Sequence, residues 1–146
     1  MPITTSYFAN RRKPEGTRIA VVRYPFNMGK EEYEWRPEFA PSKLLLDRYK
    51  SGEVNWGEYR RRYIEAQRRH YKRKPDDFTG LLERAKTEML ILCCYEKYVG
   101  PETECHRLIL VDLLKKMAKR TGQDVEFIDE TMPGQMQLKL EKKTRE

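Results

Sequence analysis

The chain has 146 residues, 38% of them hydrophobic and 36% charged, with a formal net charge of +7. This length suits one domain with one hydrophobic core, and the nine Tyr and two Trp separate the chain from disordered sequences. The longest apolar run, residues 89–94, is far too short for a membrane helix, and the N-terminus lacks the apolar core of a signal peptide. We therefore expect a soluble cytoplasmic protein. Three cysteines are too few for a disulfide scaffold, which agrees with a reducing compartment.

Hydrophobic spacing predicts strands and helices along the whole chain. In chain order the predicted elements are strands at 4–8 and 18–24, a long loop at 26–40, helices at 42–50, 55–74 and 78–85, a strand at 89–95, a helix at 102–121, a strand at 124–129, and an edge strand with a charged tail at 136–146. Strand, crossover helix and strand form the βαβ unit, which joins parallel strands with a right-handed connection. We therefore predict a single three-layer α/β domain over residues 1–146, with a mainly parallel sheet of four or five strands and helices on its faces.

Positive charge is concentrated on the second predicted helix. Between Arg60 and Lys74 eight basic residues stand against Glu65 alone, so this segment carries as much net charge as the whole chain. Asn55 predicts an N-cap, with Glu58 three residues later as in a capping box. The apolar stripe at helical spacing consists of Tyr59, Tyr63, Ala66 and His70.

A helix that anchors by tyrosines and presents arginines to water suits phosphate backbones or another polyanion, so RNA and DNA are candidate partners. The residues that we predict to contact nucleic acid are Arg61, Arg62, Arg68, Arg69, Lys72 and Arg73. A solvated helix face is an equally good reading, because charge alone governs solubility and non-specific binding.

A second candidate site lies where the apolar strand at 89–95 meets the helix predicted at 102–121. Cys93 and Cys94 point to opposite faces of that strand, so only one of them can join the site. Cys105 stands near the start of the helix, where backbone N–H groups and the helix dipole lower a thiol pKa and favour anions. The predicted catalytic residues are Cys105, His106, Arg107, Cys94 and Glu96, and the predicted anion-binding residues are Arg23, Arg107 and Ser42.

Four readings of this junction stay open. In the first reading, the cysteines are core residues and Arg107 pairs with Glu96 or Glu104. In the second reading, the start of the helix binds an anion or a nucleotide. Alternatively Cys105 acts as a nucleophile or as a redox partner of Cys94, or the thiols and the imidazole bind a metal, for which no four-ligand spacing is present. Walker loops, dinucleotide glycine fingerprints, serine elbows and CxxC motifs are absent from the sequence, and we predict no cofactor and no metal.

Several short motifs together resemble the domain of unknown function 488 family, to which the YeaO-like proteins belong. The matching segments are Arg23 and Pro25, Trp35, the run 39–42 (Phe-Ala-Pro-Ser), the run 56–63 (Trp-Gly-Glu-Tyr-Arg-Arg-Arg-Tyr), the run 94–96 (Cys-Tyr-Glu) and the run 105–107 (Cys-His-Arg). The resemblance implies an intracellular prokaryotic α/β domain and marks the same junction, but it supplies no substrate. YeaO-like members lack the paired cysteines.

Three functions follow from these observations. The leading expectation is a nucleic-acid-associated protein that contacts phosphates through residues 60–74. The alternative is an enzyme acting on an anionic or nucleotide-like small molecule, with Cys105 as nucleophile, His106 as base, and Arg23 and Arg107 as anion clamps. A structural partner in a larger assembly is the third, and the sequence leaves open whether the protein is an enzyme.

Overall fold

The structure, a computed structural model, describes residues 2–8, 14–24, 32–95 and 105–130. Its strands and helices are β1 (Pro2–Tyr7), β2 (Thr17–Ala20), β3 (Glu34–Trp35), α1 (Lys43–Lys50), α2 (Trp56–Arg73), α3 (Pro75–Arg84), β4 (Leu90–Cys94), α4 (His106–Thr121) and β5 (Glu126–Phe127). None of these helices is long and apolar enough to cross a membrane. The predicted edge strand and tail at 136–146 lie outside the described residues.

The five strands form one sheet in the order β3-β2-β4-β1-β5, and every pairing is parallel. The predicted α/β fold with a parallel sheet of four or five strands is therefore confirmed. Strand β3 lies inside the segment predicted as a loop, because two residues are too few to give a hydrophobic period. It pairs with β2 through Ile19 opposite Glu34 and Ala20 opposite Trp35.

Strand order explains where the helices lie. The connections from β3 to β4 and from β4 to β5 step in the same direction across the sheet, and right-handed crossovers then place their helices on the same face. The apolar side chains of all four helices accordingly join one core with Ile3, Ile19, Leu90 and Leu92 of that face. The opposite face is also shielded from solvent, since Cys93 is fully buried there.

The predicted helix starts at 42–50 and 55–74 are confirmed by their caps. The Ser42 hydroxyl accepts from the Leu45 amide at 3.1 Å, and the Asn55 side chain accepts from the Glu58 amide at 2.8 Å. These bonds satisfy amides that the first turn of a helix leaves unpaired. Both helices consequently begin one residue after the capping side chain.

Strand β2 is shorter than the predicted 18–24. The Val21 amide still donates to the Cys93 carbonyl at 3.0 Å, but the Val21 carbonyl is 2.6 Å from His106 Nε2. The Val22 carbonyl accepts from Trp35 Nε1 at 2.8 Å. The Val21 and Val22 carbonyls are thus bonded to side chains rather than to a neighbouring strand, and the strand ends at Ala20.

Candidate active site

The carboxyl ends of β1, β2 and β4 meet at one edge of the sheet, which is where open α/β sheets place ligands. Tyr7, the last residue of β1, lies opposite Cys94, the last residue of β4. Helix α4 begins beside these strand ends. The edge therefore gathers the residues that the sequence marks at the junction, except Glu96, which lies outside the described residues.

Two thiols meet at this edge. Cys94 Sγ is 2.6 Å from Cys105 Sγ, both side chains are buried, and the two cysteines are free rather than joined. Cys94 is thus the member of the adjacent pair that reaches the site. The Cys93 thiol, in contrast, contacts the Ile91 carbonyl at 3.6 Å.

The start of α4 differs from the prediction of 102. The helix begins at His106, and Cys105 is its N-cap residue, with an extended backbone at φ −133° and ψ 135°. Because Cys105 precedes the helix rather than lying in its first or second turn, its side chain turns back toward the end of β4. The first helical residues, His106 and Arg107, follow it into the same buried space.

Arg107 connects the two thiols to a carboxylate. Its Nη1 donates to Cys94 Sγ at 2.7 Å and to Cys105 Sγ at 3.0 Å. Its Nε and Nη2 donate to the two carboxylate oxygens of Glu130 at 2.7 and 2.8 Å. The guanidinium has no exposed surface and bridges this carboxylate and the sulfur pair, whereas the alternative partners Glu96 and Glu104 lie outside the described residues.

These contacts set the charge of Cys105. Burial by itself raises the pKa of this thiol, but hydrogen bonds from Cys94 and His106 and the positive charges of His106 and Arg107 outweigh burial and lower the pKa to about 6. Burial likewise lowers the pKa of Arg107, whereas Glu130 and the two thiols raise it above its ordinary value, so the arginine stays charged. The lowered pKa favours the thiolate form of Cys105 at neutral pH, beside the charged guanidinium of Arg107.

His106 is held on the other side of Cys105. Its Nε2 lies 2.6 Å from the Val21 carbonyl, and because a carbonyl only accepts, this nitrogen carries a proton. The ring packs edge-on against Tyr63 with 5.6 Å between centroids. Since the side chain also hydrogen-bonds Cys105, the imidazole joins the thiol to the backbone of the β2 end.

Arg23 and Ser42 lie apart from Arg107. The guanidinium of Arg23 donates to the Pro41 carbonyl at 3.2 Å from both Nε and Nη2. Arg23 and Ser42 line a pocket of about 610 Å³ together with His70, and further residues on its wall are Glu38, Ala40, Ala66, Gln67, Arg73, Lys74 and Asp77. The three predicted anion-binding residues therefore occupy two places, one at the thiols and one in this pocket.

The six basic residues predicted on α2 lie on the solvent side of the helix in two adjacent rows, with Arg61, Arg68 and Lys72 in one row and Arg62, Arg69 and Arg73 in the other. Arg61 pairs with Glu58 and Glu65, and Arg62 pairs with Glu58. Arg68 and Lys72 line one groove, Arg69 another pocket and Arg73 the pocket of Arg23. The two rows consequently border different pockets.

Glu130 is the residue of the site that sequence reasoning missed. It is separated from Arg107 by 23 residues and follows β5, whose carboxyl end lies at the same sheet edge beside β1. A carboxylate just beyond a predicted parallel strand was the available signal. Within the described ranges, no three His, Cys, Asp or Glu residues are grouped so that they could hold a metal ion.

This fold and this edge define an α/β protein with a buried dithiol held by an arginine. A family model described as the active DUF488-N3 subclade matches residues 3–118, from β1 into α4, and the chain belongs to that family. Searches of curated proteins and of solved structures give no match.

Proposed function

We propose that this protein is an enzyme that uses the Cys105 thiolate as a nucleophile on a small anionic substrate. The observation that carries the proposal is the position of Arg107, whose guanidinium donates to both sulfur atoms from a fully buried site. A core cysteine that serves only packing has no need of a buried cation. The description of the family subclade as active agrees with catalysis but names no reaction.

The residues present support a two-step group transfer. The Cys105 sulfur forms a bond to an electrophilic atom of the substrate while the bond to the leaving group breaks, and His106 gives the leaving group a proton. Water then attacks the thioester-like intermediate, its hydroxyl joins the acyl group of the substrate, its proton returns to His106, and the thiolate is released. Cys94 keeps its proton and stabilises the thiolate as a hydrogen-bond donor.

The pocket that Arg23 lines binds the negatively charged group of the substrate. Arg107 is committed to Glu130, whereas the pocket wall carries the cations of Arg23, Arg73 and Lys74. The pocket is linked to the thiol site through the chain between the Val21 carbonyl, which contacts His106, and Arg23 two residues later. Positive side chains of this kind attract an anionic substrate and orient its reactive end.

Two alkylating agents of similar size test the proposal, because iodoacetate is an anion and iodoacetamide is neutral. We expect Cys105 to react at neutral pH with a midpoint near pH 6, and we expect the ratio of iodoacetate to iodoacetamide rates to exceed that of glutathione. Mass spectrometry identifies the alkylated cysteine. Cys93→Ser is the matched control and leaves both rates unchanged, whereas Arg23→Gln lowers the ratio without moving the midpoint.

Either of two results overturns the proposal. Equal inertness of all three thiols at neutral pH removes the nucleophile. A midpoint for Cys105 at its ordinary value, near 9, removes the thiolate.

Association with nucleic acid is a second candidate function. It is supported by the net charge of +7 and by cations on α2 that face solvent. Arg61 and Arg62 contribute less than the sequence suggests, because their charges are already shared with Glu58. A role as a structural partner in an assembly predicts neither a reactive thiol nor salt-dependent binding of nucleic acid. Alkylation of the thiols and titration with nucleic acid over a salt series therefore separate the three functions.

A further inference from the structure

A groove between α2 and α4 gathers cations that lie far apart in the sequence. Arg68 and Lys72 form its wall on α2, and Lys116 and Arg120 form its wall on α4. Its floor is made of Tyr71, Leu113 and Met117, and its volume is about 490 Å³. We call this feature the α2–α4 groove.

The four cations of the α2–α4 groove are available for a ligand. All four are exposed, and none makes an ion pair or a side-chain hydrogen bond with another of the described residues. About two turns earlier in the same row of α2, in contrast, Arg61 shares its charge with Glu58 and Glu65. Helix α4 therefore completes a basic site of which α2 supplies only half.

The spacing of these charges suits a chain of phosphates. Arg68 and Lys72 are four residues apart on their helix, as are Lys116 and Arg120, which separates the members of each pair by about 6 Å along the axis. Successive phosphates of an extended nucleic-acid strand have a similar separation. Two such pairs facing each other across a groove offer four contacts to one strand, whereas a flat membrane surface cannot enter the space between them.

The floor favours a single strand over a duplex. Tyr71 is only partly buried, and its ring stands edge-on to Phe78 at 5.6 Å between centroids, which fixes its orientation. A base released from a duplex has a free π-face that can stack on such a ring, whereas a paired base does not. A basic groove with an aromatic floor is the usual means by which proteins bind single strands without sequence preference.

We infer that the α2–α4 groove binds single-stranded nucleic acid, with Arg68, Lys72, Lys116 and Arg120 contacting phosphates and Tyr71 stacking on a base. This inference rests on the second candidate function and is independent of the thiol chemistry. It adds Lys116 and Arg120 to the surface that the sequence predicts and removes Arg61, Arg62, Arg69 and Arg73 from it.

Fluorescence anisotropy with short labelled oligo(dT), and with a duplex of equal length, over a salt series tests the inference. The groove variant changes Arg68, Lys72, Lys116 and Arg120 to Gln. A control variant changes Arg60, Arg69, Lys115 and Lys119 to Gln, which removes the same charge from the same two helices outside the groove. Because all eight side chains are exposed, both variants are expected to fold, as circular dichroism will check.

We expect the wild type to bind the single strand more tightly than the duplex. The groove variant should bind weakly, with a slope of log K against log salt shallower by about 3, since each phosphate contact of a single strand contributes about 0.7. The control variant should keep nearly the wild-type slope. Tyr71→Leu, which keeps the apolar packing, should lower single-strand affinity by about tenfold with the slope unchanged.

The possible failures are distinguishable. If the wild type binds no nucleic acid even at low salt, the second candidate function falls together with the groove. If it binds but the two four-residue variants weaken binding equally, association is diffuse and the groove is not the site. Equal or tighter binding of the duplex overturns the single-strand assignment.

Discussion

Arg107 and Glu130 form a bidentate ion pair inside the protein, with N–O distances of 2.7 and 2.8 Å. The arginine side chain is completely shielded from solvent, and the glutamate side chain is 2% exposed. Two parallel hydrogen bonds fix the plane of the guanidinium, so its remaining nitrogen is aimed at the sulfur atoms. The carboxylate after β5 thus acts on Cys105 through the arginine, as a positioning residue.

The first prediction concerns the stability of this pair. In Glu130→Gln the cation of Arg107 loses its counter-charge in a buried site, so the free energy of unfolding should fall by about 3 kcal/mol. Urea denaturation measures the change. Glu83→Gln removes an exposed carboxylate paired with Lys86 and should alter stability by less than about 0.5 kcal/mol. A loss below about 1 kcal/mol in Glu130→Gln would contradict the prediction.

The second prediction separates the reactivity of Cys105 from the stability of the fold. Arg107→Met leaves Glu130 buried without a partner and removes a positive charge from the thiols, so stability falls and the pKa of Cys105 rises from about 6. Arg107→Met combined with Glu130→Leu replaces the whole pair by apolar groups and should recover most of the stability, but not the low pKa. Unfolding curves and the pH dependence of alkylation follow the two quantities. Recovery of the low pKa in the double variant would show that Arg107 is not its cause.

The basic helix shows how much of the fold local pattern can predict. Asn55 and the spacing of Tyr59 and Tyr63 suffice to predict where α2 begins and which side faces the core. The predicted stripe contains Ala66, whereas the structure buries Gln67. Periodicity has no way to predict a buried amide, because its burial depends on a distant partner, here the Glu38 carbonyl at 3.3 Å.

The candidate site also has a part that local sequence pattern predicts and a part that it does not. Strand alternation and the position of a helix start are local, so the sequence predicts Cys94, Cys105, His106 and Arg107 at one junction. The ion pair of Arg107 with Glu130 depends on strand order. The position of Lys116 across the groove from the cations of α2 depends on helix packing. No local pattern in the sequence encodes these relationships, because the residues involved lie on elements that are far apart in the chain.

A third prediction follows from the distance between the two sulfur atoms. At 2.6 Å they need only a small movement to reach the 2.05 Å of a disulfide, and the low pKa of Cys105 supplies the attacking thiolate. Mild oxidation with oxidised glutathione should therefore link Cys94 to Cys105, by way of a mixed disulfide that releases reduced glutathione. Peptide mapping identifies the bond. Cys94→Ser should stop at the mixed disulfide, Cys93→Ser should behave as the wild type, and a disulfide that includes Cys93 would be inconsistent with this arrangement of the strand.

The fourth prediction concerns stability as a function of pH. The pKa of Cys105 is lowered from an ordinary value of 9.0 to about 6 in the folded protein, so between these values the unfolded chain binds the additional proton. The stabilising contribution of this thiolate is complete above pH 9 and is lost as the pH falls through 6. Relative to Cys105→Ala, the free energy of unfolding of the wild type should rise by up to about 1.4 kcal/mol per pH unit across this window and should not change below it.

Cys93→Ala, which removes a buried thiol at the neighbouring position of β4, should differ from the wild type by a constant amount between pH 6 and 8. Unfolding in urea at a series of pH values measures all three proteins, and a constant difference for Cys105→Ala as well would mean that Cys105 stays protonated in the folded state.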